Sequence, residues 1–283
     1  MLAIGRGPGD TVDVMSIPDS SAAFSELHHG DTPLLLANAW DAGTAKSLAF
    51  LGFKALATTS AGHAAVLGRH DGGVTRDEAL AHAIELAAAT PLPVNADFEN
   101  GFADDLDGLA DLYRQAAEAG VAGASIEDWN PKDQVIYDID VAKARVEAAA
   151  AAAHAGPARL VLTARAENQL RGIDDLDDTI ARLQAYQEAG ADVLYAPCIT
   201  TTEQIAAVVS SVDRPVNVLA LPGVPPVSEL GELGVARVSV GSGFSLVAYG
   251  ALAVAAKEWL EQGTYGWWEQ AGPARELRGA FDV

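Results

Sequence analysis

Past residue 33 the chain repeats one theme: a short apolar run, a loop rich in Gly or Asp, then a longer stretch with apolar residues at helical spacing. Eight such runs occur, at 34–37, 55–58, 94–97, 124–127, 160–164, 193–196, 216–219 and 237–240. Between them the period becomes helical, as in Leu106, Leu109, Ala110, Tyr113, Ala116 and Ala117, or Leu176, Ile180, Leu183 and Tyr186. Several helical stretches end on a Gly just before the next strand, at Leu51-Gly52-Phe53, Ala119-Gly120-Val121, Ala189-Gly190-Ala191 and Leu233-Gly234-Val235. A Gly there fits a left-handed cap that turns the chain back.

Continuous apolar strands alternating with helices imply a parallel sheet covered on its outer face. Eight units in roughly 250 residues predict a closed (β/α)8 TIM barrel, with an open doubly wound sheet as the alternative. No linker or break in composition interrupts 33–260, so one domain is expected over 1–283: an N-terminal extension and helix at 1–32, the barrel at 33–260 and a helical tail at 261–283. The Ala-rich run at 148–153 reads as the middle of a helix. The tail holds Tyr265, Trp267, Trp268 and Phe281, too aromatic for a solvated end, and is expected to pack on something, a partner subunit included.

Composition narrows the class. With 49% hydrophobic and 20% charged residues among 283, the chain has enough apolar material for a sizeable core. A net charge of −21 repels a phosphate backbone and an anionic membrane surface, which argues against nucleic-acid and membrane partners. One Cys forms no internal disulfide, and none of the six His lies in a zinc-spaced cluster, so the cytoplasm is the expected compartment. Residues 1–16 carry Gly, Pro and Asp where a signal peptide needs a charged start and an apolar run. The apolar stretch at 247–256 is shorter than the about 20 residues a bilayer requires.

In such a barrel the chemistry sits at the C-terminal ends of the strands. Polar residues crowd there: Asn38-Ala39-Trp40-Asp41, Thr58-Thr59-Ser60, Asn95-Ala96-Asp97-Phe98-Glu99, Glu127-Asp128-Trp129 and Arg165-Ala166-Glu167-Asn168. Alternation puts Asn95, Asp97 and, if the strand persists, Glu99 on one face, with Glu127 from the neighbouring strand. Two carboxylates about 4 Å apart repel by roughly 4 kcal/mol at an effective dielectric near 20. The cluster therefore calls for a cation, a proton or separation, and an all-oxygen set favours Mg2+ or Mn2+ over zinc. Loop capping, or pairing of Asp97 and Glu99 with Arg69 and Arg165, is the alternative. Arg165 itself reads as a counter-ion to the acids, as a clamp on a substrate carboxylate or phosphate, or as both. Cys198, single and without a His beside it in sequence, reads as a small buried residue. His63 and His70 are expected in a loop, solvated or transferring protons.

Asn38-Ala39-Trp40-Asp41, Ala55-Leu56-Ala57-Thr58-Thr59-Ser60-Ala61-Gly62, Leu67-Gly68-Arg69-His70-Asp71, Pro93-Val94-Asn95-Ala96-Asp97, Ile126-Glu127-Asp128 and Ala164-Arg165, taken in order, resemble the isocitrate lyase/phosphoenolpyruvate mutase superfamily. The resemblance runs from about residue 33 to 250. It implies a barrel whose last helix is exchanged between subunits of a homodimer or homotetramer, and a Mg2+ ion holding a 2-oxo acid or its enolate. By position it implies Asp71, Asp97 and Glu127 as carboxylates around the ion, Asn95 at the usual direct ligand, Ser60, Ala61 and Gly62 as the substrate-binding turn and Arg165 as the substrate arginine. Glu99 stands by as a compensating ligand. Trp40, Asp41, Asn95 and Asn217 complete the substrate-binding candidates; Arg165, Asp71 and Glu127 are the catalytic ones. Three departures bear on the chemistry. Asn95 stands where the family's usual residue is Asp, which lowers the charge of the metal site unless Glu99 compensates. The loop 129–137 lacks the Lys-Lys-Cys-Gly-His stretch of isocitrate and methylisocitrate lyases, and Pro197 stands where phosphonate-handling members carry His.

The expected function is a Mg2+-dependent lyase that cleaves a carbon–carbon bond of a small 2-oxo or 2-hydroxy carboxylic acid, with oxaloacetate decarboxylation as the simplest fit. Two alternatives stand beside it: an aldolase or isomerase binding phosphate at Gly241-Ser242-Gly243, and a non-catalytic 2-oxo acid binder.

Overall fold

Side-chain alternation along the third run sends Val94 and Ala96 outward to the helices and Asn95 and Asp97 inward, and every barrel strand follows the same rule. In the computed structural model, which describes residues 17–156 and 159–282, ten strands are present. They are β1 (Leu34–Asn38), β2 (Leu56–Ala57), β3 (Val94–Asp97), β4 (Gly123–Glu127), β5 (Trp129–Asn130), β6 (Val135–Ile136), β7 (Val161–Arg165), β8 (Val193–Tyr195), β9 (Val216–Leu219) and β10 (Arg237–Ser239). Eight close into an all-parallel barrel, β1-β10-β9-β8-β7-β4-β3-β2, while β5 and β6 form a small antiparallel ribbon at its mouth. The barrel strands are the eight predicted runs, with no end shifted by more than one residue. The expectation for residues 1–16 lies outside the described residues.

The helices are α1 (Ile17–Glu26), α2 (Ala42–Phe50), α3 (Ser60–Val66), α4 (Arg76–Ala89), α5 (Leu106–Glu118), α6 (Ile139–Ala153), α7 (Leu176–Glu188), α8 (Thr202–Ser210), α9 (Val227–Glu232), α10 (Gly243–Gln262) and α11 (Gly272–Glu276). Reciprocal capping boxes start α2 (Asp41 with Thr44), α4 (Thr75 with Glu78) and α8 (Thr201 with Gln204). The predicted cap glycines Gly52, Gly120, Gly190 and Gly234 all have positive φ. The Ala-rich run lies inside α6, whose Ala149, Ala150 and Ala153 are buried. Small side chains there let neighbours close in: a Cβ at Gly190 would sit 3.1 Å from that of Ala150.

The main core lies between barrel and helices, with Leu109, Leu112 and Tyr113 of α5, Val146 of α6 and Leu183 and Tyr186 of α7 against outward Ala124, Ile126, Leu162 and Leu194. A second cluster plugs the N-terminal end of the barrel: Phe24 of α1 enters among Leu34, Leu36, Ala55, Ala57, Val161 and Val193. With that end plugged, the cavity opens at the other. No helix among the described residues is long and apolar enough to cross a membrane.

The C-terminal region departs from this economy. Along α10, Val247 is 71% exposed and Leu260 83%, with Leu246, Leu252, Val254 and Trp259 exposed as well. Its principal neighbour is the 3-10 turn Gly266–Ala271, where Trp267 and Trp268 stack. The last turn, Leu277–Phe281, returns to dock on α2, with Gly279 against the Phe50 ring. The tail thus packs partly on its own barrel.

Candidate active site

A cavity of about 620 Å³ opens at the C-terminal ends of the strands. At its mouth Arg165, closing β7, gathers three carboxylates. Nη1 lies 3.1 Å from Asp97 Oδ1, Nη2 lies 3.2 Å from Glu127 Oε2 and 2.8 Å from Glu167 Oε1, and Nε donates to Glu167 Oε1 at 3.1 Å. The register explains the convergence, since Glu127 pairs with Arg165 across β4 and β7 and Arg165 with Tyr195 across β7 and β8. Burial alone would lower the Arg165 pKa; Glu167, Glu127 and Asp97 together raise it well above its ordinary value. A second guanidinium, Arg171, reaches Glu167 Oε2 at 3.2 Å and Glu127 Oε1 at 3.4 Å, and lies 4.1 Å over the Trp129 ring. Asp128, next to Glu127, faces away into a buried network, accepting from Tyr186 at 2.5 Å, Arg182 at 3.2 Å and the Glu167 amide at 2.9 Å.

Asp97 is held in place by three donors. Its Oδ2 accepts from the Ser60 amide at 3.0 Å, its Oδ1 accepts from Ser125 Oγ at 3.3 Å, and Arg165 closes the set. Beyond the strand end, Glu99 has φ +46°, a backbone region that side chains other than Gly enter at a cost. Its Oε1 is buried with no partner. Burial, then the charges of Asp97 and Asp71, push its pKa up to about 8. Glu127 also titrates well above its usual range, through burial first and the Glu167 charge second.

Asp97, Glu99, Glu127 and Glu167 thus face only Arg165 and Arg171, a shortfall of two positive charges if all four ionise. Among the described residues, no group of three or more His, Cys, Asp or Glu is arranged to hold a metal ion by itself. Mg2+ does not need one: it binds through one or two carboxylates and keeps several waters. The all-oxygen donors, the unpartnered Glu99 Oε1 and the charge shortfall fit such an ion.

The sequence-predicted residues divide. Asp71, Ser60, Ala61, Asn95, Asp97, Glu99, Glu127, Arg165 and Asn217 all line the cavity. Asn95, however, lies two residues deeper than Asp97, opposite Gly123, whereas Asp97 is opposite Ser125. The carboxylates at the mouth are Asp97 and Glu99, so Asn95 takes no charge away from that level. Glu99 does not continue the strand face, as the alternation argument supposed, but reaches the cavity from a turn. Trp40, Asp41 and Gly62 are not among the described residues lining the cavity. Asp41 caps α2 with its side chain, Trp40 gives its carbonyl to His82, and a Cβ at Gly62 would meet Thr59 at 2.6 Å. Arg69 pairs with Glu78 at the surface, not with the cluster. His63 is not a loop residue: it lies in α3, stacked on His82 with 3.7 Å between ring centroids. Burial raises the Cys198 pKa, the opposite of an activated thiol. Arg171, Tyr195 and Arg237 also line the cavity and escaped the sequence reading. Arg237 opens its strand, and Arg171 lies beyond the strand end; proximity to Glu167 at helical spacing was the one available signal for the latter.

A closed parallel barrel with paired arginines and clustered carboxylates at its C-terminal mouth has the architecture of a (β/α)8 enzyme. Residues 24–260 match the family model described as phosphoenolpyruvate phosphomutase. The chain belongs to this family, within the PEP mutase/isocitrate lyase superfamily, whose members are lyases and mutases. It is 36% identical to an uncharacterised protein of Mycobacterium tuberculosis (strain ATCC 25618 / H37Rv), over 84% of this chain and 91% of the other. It is 27% identical to oxaloacetate decarboxylase 2 of Pseudomonas fluorescens (strain Pf0-1), over 78% of this chain and 77% of the other. A crystal structure from Burkholderia cenocepacia J2315, described provisionally as a lyase/mutase, superposes with a TM-score of 0.90 at 47% identity, covering 94% of this chain and 97% of that one.

Proposed function

We propose that the protein is a Mg2+-dependent carbon–carbon lyase acting on a small 2-oxo or 2-hydroxy carboxylic acid, by decarboxylation or retro-aldol cleavage through an enolate. The observation that carries this reading is the charge balance at the mouth, where Asp97, Glu99 and Glu127 on the cavity wall and Glu167 buried behind it face two guanidiniums. Asp97 and one of Glu99 and Glu127 would hold the ion directly, with the remaining carboxylate, and Asp71 at the rim, toward its waters. When bound, the ion supplies Lewis-acid stabilisation of the developing enolate charge. Once Asp97 and Glu127 are engaged, Arg165 keeps Glu167 through Nε and offers Nη1 to the substrate carboxylate. Arg171 and Trp129 wall the same side and exclude water. The Ser60 amide is spent on Asp97 and the Gly62 amide on Thr59, so the turn fixes Asp97 and Ala61, which lines the cavity between them, is its remaining contact for a substrate. Oxaloacetate is the first substrate to assay, because a relative carries that activity in its name and the loop after β4 lacks the Cys stretch of the larger-substrate lyases.

The phosphate-binding alternative at Gly241-Ser242-Gly243 is less favoured, because the Gly241 amide donates to Asn38 Oδ1 at 2.9 Å and the Gly243 amide to the Val240 carbonyl at 2.9 Å. Calorimetric titration of metal-stripped protein with oxalate, with and without Mg2+, tests the enolate site. Binding is expected only with Mg2+ and should weaken by more than about 100-fold in Asp97→Ala. Metal-independent or absent binding would overturn the reading, and tight Mg2+-dependent binding without turnover of any 2-oxo acid would favour the non-catalytic binder.

The same reading includes assembly. The outer face of the barrel leaves Leu35 of β1 47% exposed, with Leu51 and Val227 beside it in an open groove, while α10 presents an apolar face without a cover. Groove and helix match in kind, and we infer that α10 is exchanged between copies in a cytoplasmic homodimer or homotetramer.

A further inference from the structure

The barrel interior holds a charged group that the chemistry at the mouth does not use. Arg237 of β10 is 2% exposed and lines the inner end of the cavity. Its Nε donates to Asn217 Oδ1 at 2.9 Å and its Nη2 to Thr163 Oγ1 at 3.1 Å, and Nη1 lies 3.2 Å from His28 Nε2. The His28 Nδ1 lies 2.8 Å from the Phe24 carbonyl, which accepts its proton and leaves the Nε2 lone pair to Arg237. Burial, reinforced by the Arg237 charge, brings the His28 pKa down to about 3, so this acceptor is neutral. All three partners of Arg237 are therefore uncharged. Among the described residues no carboxylate pairs with it, and burial lowers even its own pKa to about 9.

This is the reverse of Arg165, two residues along β7 from Thr163, which holds three carboxylates. A guanidinium carries five N–H groups, and three are used here. Burying a cation without an anion costs several kcal/mol, and nothing in the fold repays it. Asn95, whose Oδ1 is unpartnered, lines the same cavity from β3 across the barrel, so polar groups face its interior from more than one side.

We propose that Arg237, with Asn217 and Thr163, forms an anion subsite at the inner end of the cavity that takes the distal carboxylate of the substrate and selects a dicarboxylate over a monocarboxylate of equal length. This rests on the enolate reading of the mouth for the other end of the molecule. Thr163 and Arg165 stand one strand repeat apart, about 7 Å, a step that a four- or five-carbon chain spans. The acidic mouth repels a second carboxylate while the inner end attracts it, which orients the molecule.

The test uses the full chain with Mg2+ and a matched pair, 2-oxoglutarate and 2-oxopentanoate, with oxalate as a probe of the mouth alone. The wild-type protein is expected to bind the diacid at least 10-fold more tightly than the monoacid. Arg237→Met should erase that preference and leave oxalate binding unchanged. Undiminished preference in Arg237→Met overturns the proposal. Should that variant fail to fold, the wild-type pair decides, since equal binding of diacid and monoacid also overturns it. Failure of oxalate to bind, with diacid preference present and lost in Arg237→Met, sinks the enolate reading and leaves the subsite standing.

Discussion

Glu99 shows how one position carries both strain and charge. Its left-handed backbone and the tight Phe98–Gly101 turn, closed by a 2.7 Å hydrogen bond, hold a carboxyl over other acids, where its pKa rises to about 8. A carboxyl whose folded pKa lies above its unfolded value binds more protons in the folded state between the two. Stability of the metal-free protein therefore falls as pH rises from about 4.5 to about 8 on account of this group. Glu99→Gln should flatten that slope and raise the metal-free thermal midpoint relative to wild type at pH 8, with the difference vanishing below pH 4.5, as pH-dependent thermal melts would show. Glu167 has the partners that Glu99 Oε1 lacks, being fully buried between Arg165 and Arg171. Glu167→Ala should destabilise by about 1–3 kcal/mol in urea titrations, because Arg165 and Arg171 lose its hydrogen bonds while Asp97 and Glu127 still balance their charge. The sequence singled out Asp97, Glu127 and Arg165 as chemistry-bearing by their place at strand ends. It carried no sign that Glu167, rather than Asp97, takes most of Arg165.

At the level of elements, local signals were sufficient wherever a helix begins or ends on its own residues. The Gly caps and apolar runs located strands and helix ends because caps and periodicity act within a few residues. Thr75→Ala removes the hydroxyl that accepts from the Glu78 amide and should cost about 1 kcal/mol, read from chemical denaturation, without moving oxalate affinity. Two elements escaped. The loop at 129–137 contains the β5–β6 ribbon, tied by the Tyr137 amide to the Asp128 carbonyl at 2.8 Å, but strands of two residues carry no period to detect. The turn at Ser60 is the first turn of α3, started by Thr59, and too short to announce itself against the preceding strand.

For the whole molecule, the exposed face of α10 and the uncovered groove beside β1 are the surfaces that the proposed helix exchange would bury. Leu252→Glu on α10 should shift the sedimentation profile toward monomer while the barrel keeps its circular dichroism; an unchanged oligomer would count against helix exchange. The charge of −21 per chain adds repulsion between copies, so raising salt should strengthen association of the wild-type protein.

The order and kind of elements, the barrel and the end at which its chemistry lies were all present in the sequence, because hydrophobic period, cap residues and the handedness of βα units are local properties. Tertiary structure alone decided which acid meets which arginine, that Asn95 lies below the mouth while Glu99 reaches it, and that Arg237 is buried among neutral partners. Those facts depend on barrel register and shear, which bring together residues from strands far apart in the chain, and no local pattern encodes them.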